Sequence, residues 1–327
     1  MADGITVSRT GLSRPAVVLA LLACTAVLSA ALFMTIGARG DWGFVLAFRA
    51  TKLAGMALVA IAIAVSTVLF QTLTQNRILS PAIMGFDSLY VAIQTALVFL
   101  LGSRQLTSFD PRLRFLFEAV TMVLVALLLF RWLLARHSGN IHVLVLSGVV
   151  FGVMFRSLAS MLQRVLDPNE FSVLQDLLFA HFNSIETELL GASAIVVAVV
   201  SVAAWRMVHA LDVLALGRDT AIGLGIEHKR MANTLLLMIA VLVSVSAALV
   251  GPVTFFGLLV ANLAYGLLGS QKHAHTLPAA ALIAVIALTA GQAVLEHVFG
   301  MDTALSIIIE FVGGIVFILL LLRGAYR

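Results

Sequence analysis

Apolar runs of about 20 residues, separated by short polar stretches, repeat along the whole 327-residue chain. A helix needs roughly 20 apolar residues to cross the hydrocarbon of a bilayer. The pattern therefore predicts ten membrane spans, at 15–36, 44–70, 82–101, 115–134, 141–162, 190–208, 232–250, 253–268, 277–295 and 303–322. Arg9 and Arg14 before the first run also fit the basic region of a signal peptide. That run is longer than the 7–15 residues of a typical signal core, so it is expected to stay as a span. Ten spans place both termini on one side. Lys and Arg favour cytoplasmic loops. Arg77, Arg131, Arg136, Arg206, Lys229 and Lys272 share a side with the N-terminus, so both termini are expected in the cytoplasm, with Arg112 and Arg114 on the unfavoured side.

Composition agrees with the pattern. Apolar residues make 61% of the chain and charged residues 11%, against roughly 25% charged in soluble domains. This excludes disorder and argues against a soluble enzyme, because a chain of this length cannot enclose so much apolar surface. Cys24 is the only cysteine, which excludes a disulfide scaffold. The formal charge of +4 is scattered and interleaves with no aromatic residues, so it does not point to nucleic acid. The fold class expected is an all-α polytopic membrane protein of about ten transmembrane helices, a single domain over 1–327. Abundant Ala and Gly within the spans suit close helix packing in lipid.

Two segments interrupt the hydropathy pattern. Residues 167–188 carry Asp167, Glu170, Asp176, Glu186 and Glu188 and no Lys or Arg. Leu174, Leu177 and Leu178 recur at helical spacing, which predicts a short amphipathic helix on the outer surface. The segment reads either as a solvated loop or as a docking surface whose carboxylates orient a soluble partner. Residues 209–230 carry Gly217, Gly223 and Gly225 among short apolar runs, which predicts a short helix, a turn and a second short helix. An apolar knob of this kind is odd for a mere linker, and it reads either as a linker or as a plug for a groove on another subunit.

The run LDVLALGRDTAIGLGI, 211–226, resembles the cytoplasmic coupling segment of the iron-chelate and cobalamin ABC importer permeases, the FecCD or BtuCD-like family. Residues 70–90, 146–170, 251–265, 275–284 and 299–321 resemble further family segments in family order, so the resemblance covers about 47–323. The chain departs from the common family pattern in three places. Ala261 and Asn262 stand where Pro-His is frequent, 75–81 reads QNRILSP, and Gly313 and Gly314 stand where Ala-Pro is common. These features resemble the ferric-siderophore subgroup. Cobalamin or haem uptake by the same kind of machine is the alternative within the class, and an ion-coupled secondary transporter is the alternative outside it.

The resemblance implies a type II ABC importer permease, a transport subunit and not an enzyme. It implies a cytoplasmic ABC ATPase dimer, a second permease subunit (a different chain in preference to a second copy), and a periplasmic or lipoprotein substrate-binding protein. The chain has no Gly-x-x-x-x-Gly-Lys-[Ser/Thr] run, so ATP and Mg belong to the partner ATPase and no cofactor is expected here. Leu214, Leu216, Gly217, Arg218, Asp219, Gly223, Gly225 and Glu227 are the expected coupling residues. His273 and His275 are too few for a metal site and fit a helix start better. Charges inside spans are costly and usually face a bundle interior or a cavity, which singles out Asp87, Glu118, Arg156, Glu296 and Glu310. Arg156 has three readings: it lines the path of an anionic chelate, it pairs with Glu118 or Glu310, or it snorkels to the interface. Gln71, Thr74 and Gln75 are candidates for the path or its gate. Asn262 joins them beside Phe255 and Phe256, a pair that also reads as plain core.

Overall fold

The computed structural model describes residues 14–37, 42–136, 141–180, 182, 187–298 and 304–322. Among these residues every regular element is a helix. Seven helices are long and apolar enough to cross a membrane. They are α1 (Arg14–Thr35), α2 (Trp42–Thr74), α5 (Pro111–Arg136), α6 (Ile141–Gln163), α8 (Thr187–Arg206), α11 (His228–Val250) and α13 (His273–His297). Three shorter apolar helices complete the ten expected spans: α3 (Phe86–Leu101), α12 (Phe256–Leu268) and α14 (Leu305–Leu322). Four short helices lie between spans: α4 (Ser103–Ser108), α7 (Pro168–Leu178), α9 (Val208–Leu214) and α10 (Arg218–Gly223). The chain is a multi-pass membrane protein.

The bundle is built around α2. Its 33 residues make a rod of about 50 Å, and from Gly55 to Thr74 it is buried almost continuously. It packs against α11 and α13, with α8 and α12 alongside. Outer helices keep apolar faces exposed: Leu28 on α1, Leu128 on α5, Val199 on α8 and Phe311 on α14 each show more than half their surface. An apolar face toward solvent on every outer helix is the signature of lipid contact. Cys24 lies on such a face of α1.

The expected span 82–101 is divided. Residues Pro81–Met84 form a 3-10 turn, and Gly85 at φ +90° separates it from α3. The cause is α6, which crosses this point so closely that a Cβ on Gly85 would stand 2.6 Å from the Cα of Gly152. At 16 and 13 residues, α3 and α12 are too short to cross roughly 30 Å of hydrocarbon alone. Irregular backbone around 75–85 and 251–255 therefore adjoins them within the bundle. Backbone of that kind is tolerated at depth only where protein or a water-filled cavity receives it.

In-span charges mostly find partners. Lys52 Nζ lies 3.3 Å from Glu296 Oε1, which also accepts from Gln292 Nε2 at 3.0 Å. Arg114 Nε donates to Glu118 Oε1 at 2.8 Å, and its Nη2 donates to Gln94 at 3.3 Å. Glu118 is therefore not the partner of Arg156.

Candidate functional site

Four places gather most of the residues expected to carry function. The first is a cavity of about 790 Å³ on the exposed side of α6. Gly85, Asp87, Arg156, Ser160, Arg164 and Thr254 are among its lining residues. Asp87, in the first turn of α3, accepts a hydrogen bond from Thr254 Oγ1 at 2.8 Å. Arg156 and Glu310 both come close enough to act electrostatically on Asp87. Among the described residues Arg156 itself has no hydrogen bond or ion pair within bonding distance. It stands one turn beyond Gly152 on a face where Val153, Met154, Leu158 and Met161 are also exposed. Phe255 borders the same cavity with φ +59°, a left-handed conformation that is an outlier for a bulky residue. Its neighbour Phe256 is fully buried core.

The second place is a cavity of about 610 Å³ at the end of the bundle that carries α9 and α10. Gln71 and Gln75 line it, as do Thr72, Asp212, Leu216 and His273. Gln71 Nε2 donates to the Arg77 carbonyl at 2.8 Å, and Asn262 Nδ2 donates to the same oxygen at 3.1 Å. Together they hold the loop that follows α2. Asn262 is buried and also bonds Leu258 O on its own helix. Thr74 is buried too, its hydroxyl given to Phe70 O at 2.8 Å. Neither Thr74 nor Asn262 lines either cavity. Arg77 lies over the ring of Tyr265, 4.7 Å from its centroid.

A chain of polar groups, not anticipated from sequence, runs along this cavity to α9. Asp212 Oδ1 accepts from the backbone N–H of His273 at 2.8 Å and from its ring Nδ1 at 2.6 Å. The ring's Nε2 shares a 2.6 Å hydrogen bond with the hydroxyl of Thr72. One carboxylate on α9 thus fastens the start of α13 and, through it, the last turns of α2. Charge-assisted hydrogen bonds contribute roughly 1.5–3 kcal/mol each. Asp212→Ala is therefore expected to lower the melting temperature of the purified protein clearly. Asp212→Asn, which keeps an acceptor for the backbone N–H, is expected to cost about half as much. Equal melting of the wild type and both variants would remove this role.

The third place is the 208–227 segment itself. It is a short helix, a turn and a second short helix, as the glycine spacing predicts. Leu211, Leu214 and Ala221 face inward and are buried, while Leu216, Ile222 and Leu224 are 62%, 49% and 61% exposed. The result is an apolar knob on an anchored base. Gly217 begins α10 at φ +108°, ψ 157°. Gly225 ends it, with Ile226 N–H bonding Ala221 O and Gly225 N–H bonding Ile222 O, the pair of bonds of a Schellman cap. Gly223 is simply the last residue of α10. Arg218, Asp219 and Glu227 are exposed around the knob. The Gln75 amide touches the turn in either orientation. Its Nε2 donates to Leu214 O at 3.3 Å, or its oxygen accepts from the N–H groups of Gly217 and Arg218 at 3.3 and 3.2 Å. Gln75 has φ +51° and, with Phe255, is one of two non-glycine residues at positive φ among the described residues.

At the opposite end of the bundle α7 is the amphipathic helix expected from Leu174, Leu177 and Leu178. Leu174 is wholly buried against Val98 and Leu106. Asp167 caps α7 by accepting from Asn169 N–H at 2.9 Å. Glu170 accepts from Ser103 N–H at 2.5 Å and so closes the start of α4. Glu188 pairs with Arg112. Asp176 is exposed, and Glu186 lies outside the described residues. Three of the five carboxylates are thus already engaged within the chain.

A petrobactin import system permease protein of Bacillus subtilis, YclO, is 44% identical over 305 residues, covering 93% of this chain and 96% of that protein. Another petrobactin import system permease protein, FatC of Bacillus anthracis, is 35% identical over 275 residues, covering 84% and 78%. A solved structure described as an inward-facing conformation of a metal-chelate type ABC transporter superposes with a TM-score of 0.83. It covers 95% of this chain and 100% of that one at 20% identity, which speaks to the fold alone. The FecCD transport family matches residues 12–323. Ten apolar helices among the described residues, seven of them long enough to span a membrane, accompany that match, and the chain belongs to the FecCD transport family.

Proposed function

We propose that the chain is the permease subunit of an ABC importer that carries a ferric siderophore across the bacterial cytoplasmic membrane. The observation that carries this reading is Arg156. A guanidinium in mid-span, near enough to Asp87 to act on it but with no hydrogen bond or ion pair among the described residues, and exposed on an apolar helix face, is too costly to leave against lipid. A second permease subunit laid over α6 would convert the open cavity into a closed, hydrated path. A guanidinium in that path suits a chelate that carries negative oxygen donors. The termini lie in the cytoplasm in this reading, and the 208–227 knob seats in a groove of an ATPase subunit that binds ATP and Mg. A substrate-binding protein docks at the other end, where Asp176 is the free carboxylate on α7.

Alternating access then follows as a shift between two packings of one bundle. Closure of the ATPase pair favours one of them through its contacts with the knob. Gln75 and the Asp212–His273–Thr72 chain carry the displacement to the end of α2. The chain itself performs no bond chemistry.

The test is reconstitution with the subunits that co-purify in mild detergent, followed by uptake of radioactive iron as a siderophore chelate. Arg156→Ala is expected to lower uptake roughly tenfold or more, the equivalent of one charge-assisted contact, with Arg156→Lys intermediate. Unchanged uptake in a normally assembled complex would overturn the role of Arg156. Purification of the chain alone, folded and without an ATPase, would overturn the importer.

A further inference from the structure

Where the second half of α5 meets the start of α11, an open groove of about 520 Å³ remains outside both cavities described above. Arg131, Lys229 and Asn233 line its rim, and Leu127, Phe130 and Leu237 line its floor. The two helices are neighbours of opposite direction, α5 ending and α11 beginning at the α9–α10 end. Their registers agree. Arg131 stands one turn beyond Leu127, while Lys229 stands one turn before Asn233 and two before Leu237. Both helices thus put cations at the membrane surface and apolar side chains a turn or two deeper.

The cations are exposed, and among the described residues neither Arg131 nor Lys229 has a hydrogen bond or ion pair. Glu227 is the carboxylate nearest to Lys229 in sequence, and it is not part of the groove. The floor continues onto the outer face of the bundle through Leu124 and Leu128, 54% and 68% exposed. A soluble anion would use the rim and leave the floor empty. A phospholipid would use both, because its phosphate and its acyl chains have the same order along the membrane normal as the residues do.

We propose that this groove binds one anionic phospholipid, its phosphate held between Arg131 and Lys229 within reach of the Asn233 amide, and one acyl chain laid along Leu127, Phe130 and Leu237. Basic grooves between transmembrane helices at a membrane surface are suited to such head groups. The inference needs only that the protein spans a membrane, and it stands apart from the transport reading.

Native mass spectrometry of the full chain in mild detergent tests it, by titration with phosphatidylglycerol, cardiolipin and phosphatidylcholine. The wild type is expected to hold the two anionic lipids in preference to phosphatidylcholine. The double variant Arg131→Gln/Lys229→Gln is expected to bind them roughly thirtyfold more weakly, at about fivefold per cation removed. Phosphatidylcholine binding and the melting temperature should be unaltered, and Arg131→Lys should keep the preference. Equal binding of anionic and zwitterionic lipid by the wild type would overturn the proposal. So would a double variant that keeps the preference while melting normally. Release of the lipid by excess inorganic phosphate would identify a soluble-anion site instead. Loss of the lipid on assembly with the co-purifying ATPase would show that a protein surface covers the groove.

Discussion

Replacing Gly217 with alanine is expected to uncouple ATP hydrolysis from transport. Gly217 lies at φ +108°, ψ 157°, a region open essentially to glycine alone, where another residue carries about 1–3 kcal/mol of strain. Space is not the obstacle, since an added Cβ would meet only Gln75 Nε2, at 3.8 Å. The backbone must rotate instead. Rotation at Gly217 swings Leu216, the most exposed apolar side chain of the knob, away from the base held by Leu211 and Leu214. It also breaks the contact of Gln75 with the turn. A shift of about 1.4 kcal/mol already changes a two-state ratio tenfold. Uptake is therefore expected to fall by about that factor or more while the ATPase still co-purifies and still hydrolyses ATP. Leu216→Asp should act in the same direction by placing a charge in an apolar groove. The measurement is iron delivered per ATP hydrolysed in proteoliposomes. An unaltered ratio in both variants would mean that the knob does not couple, and ATP-independent uptake would point to an ion-coupled carrier.

The second large effect is expected at Gly85. An alanine Cβ there would stand 2.6 Å from Gly152 Cα and 2.9 Å from Gly152 N, and the residue holds φ +90°. These are contacts with backbone, so no change of rotamer relieves them. Positive-φ strain of about 1–2 kcal/mol adds to overpacking of about 1–3 kcal/mol. Gly152→Ala meets Gly85 Cα at 2.9 Å from an ordinary helical residue and carries only the second penalty. The expected order of melting temperatures is wild type, then Gly152→Ala, then Gly85→Ala. Gly314→Ala should be close to neutral, because nothing lies within 4 Å of its added Cβ. Uptake should fall along with stability, since Asp87 and Arg156 each lie within about one turn of these glycines on the wall of the same cavity. Equal melting of all four proteins would mean that α6 does not cross the 3-10 turn so closely.

What was legible in the sequence, and what was not, divides by range. Hydropathy located ten apolar helices because a membrane span is a local property: 20 residues either are or are not apolar enough. The second short helix of 208–223 was legible because Gly217 and Gly225 mark its ends. The division of 82–101 was not, because Pro81 to Leu101 reads as one apolar run and only the passage of α6 across Gly85 breaks it. Thr74 and Asn262 look like path residues in the sequence. A polar side chain in an apolar helix has a second option, the carbonyl four residues back, and both take it. The importance of Asp212 and His273 was hidden for the converse reason. They are 61 residues apart, and neither has a local signal.

By itself, then, the sequence determined that this protein lives in a membrane, where its ten long apolar segments run and where its knob lies. These follow from hydrophobic burial and turn chemistry, whose range is a few residues along the chain. The tertiary structure alone decided which polar side chains are spent inside the bundle and which remain available. Glu118, Glu170, Glu188 and Glu296 are already partnered, whereas Arg156 is left facing a cavity. The reason is physical. A charge or hydrogen-bonding group in a bilayer is governed by what stands within about 3 Å of it, and those neighbours come from helices far away in the chain.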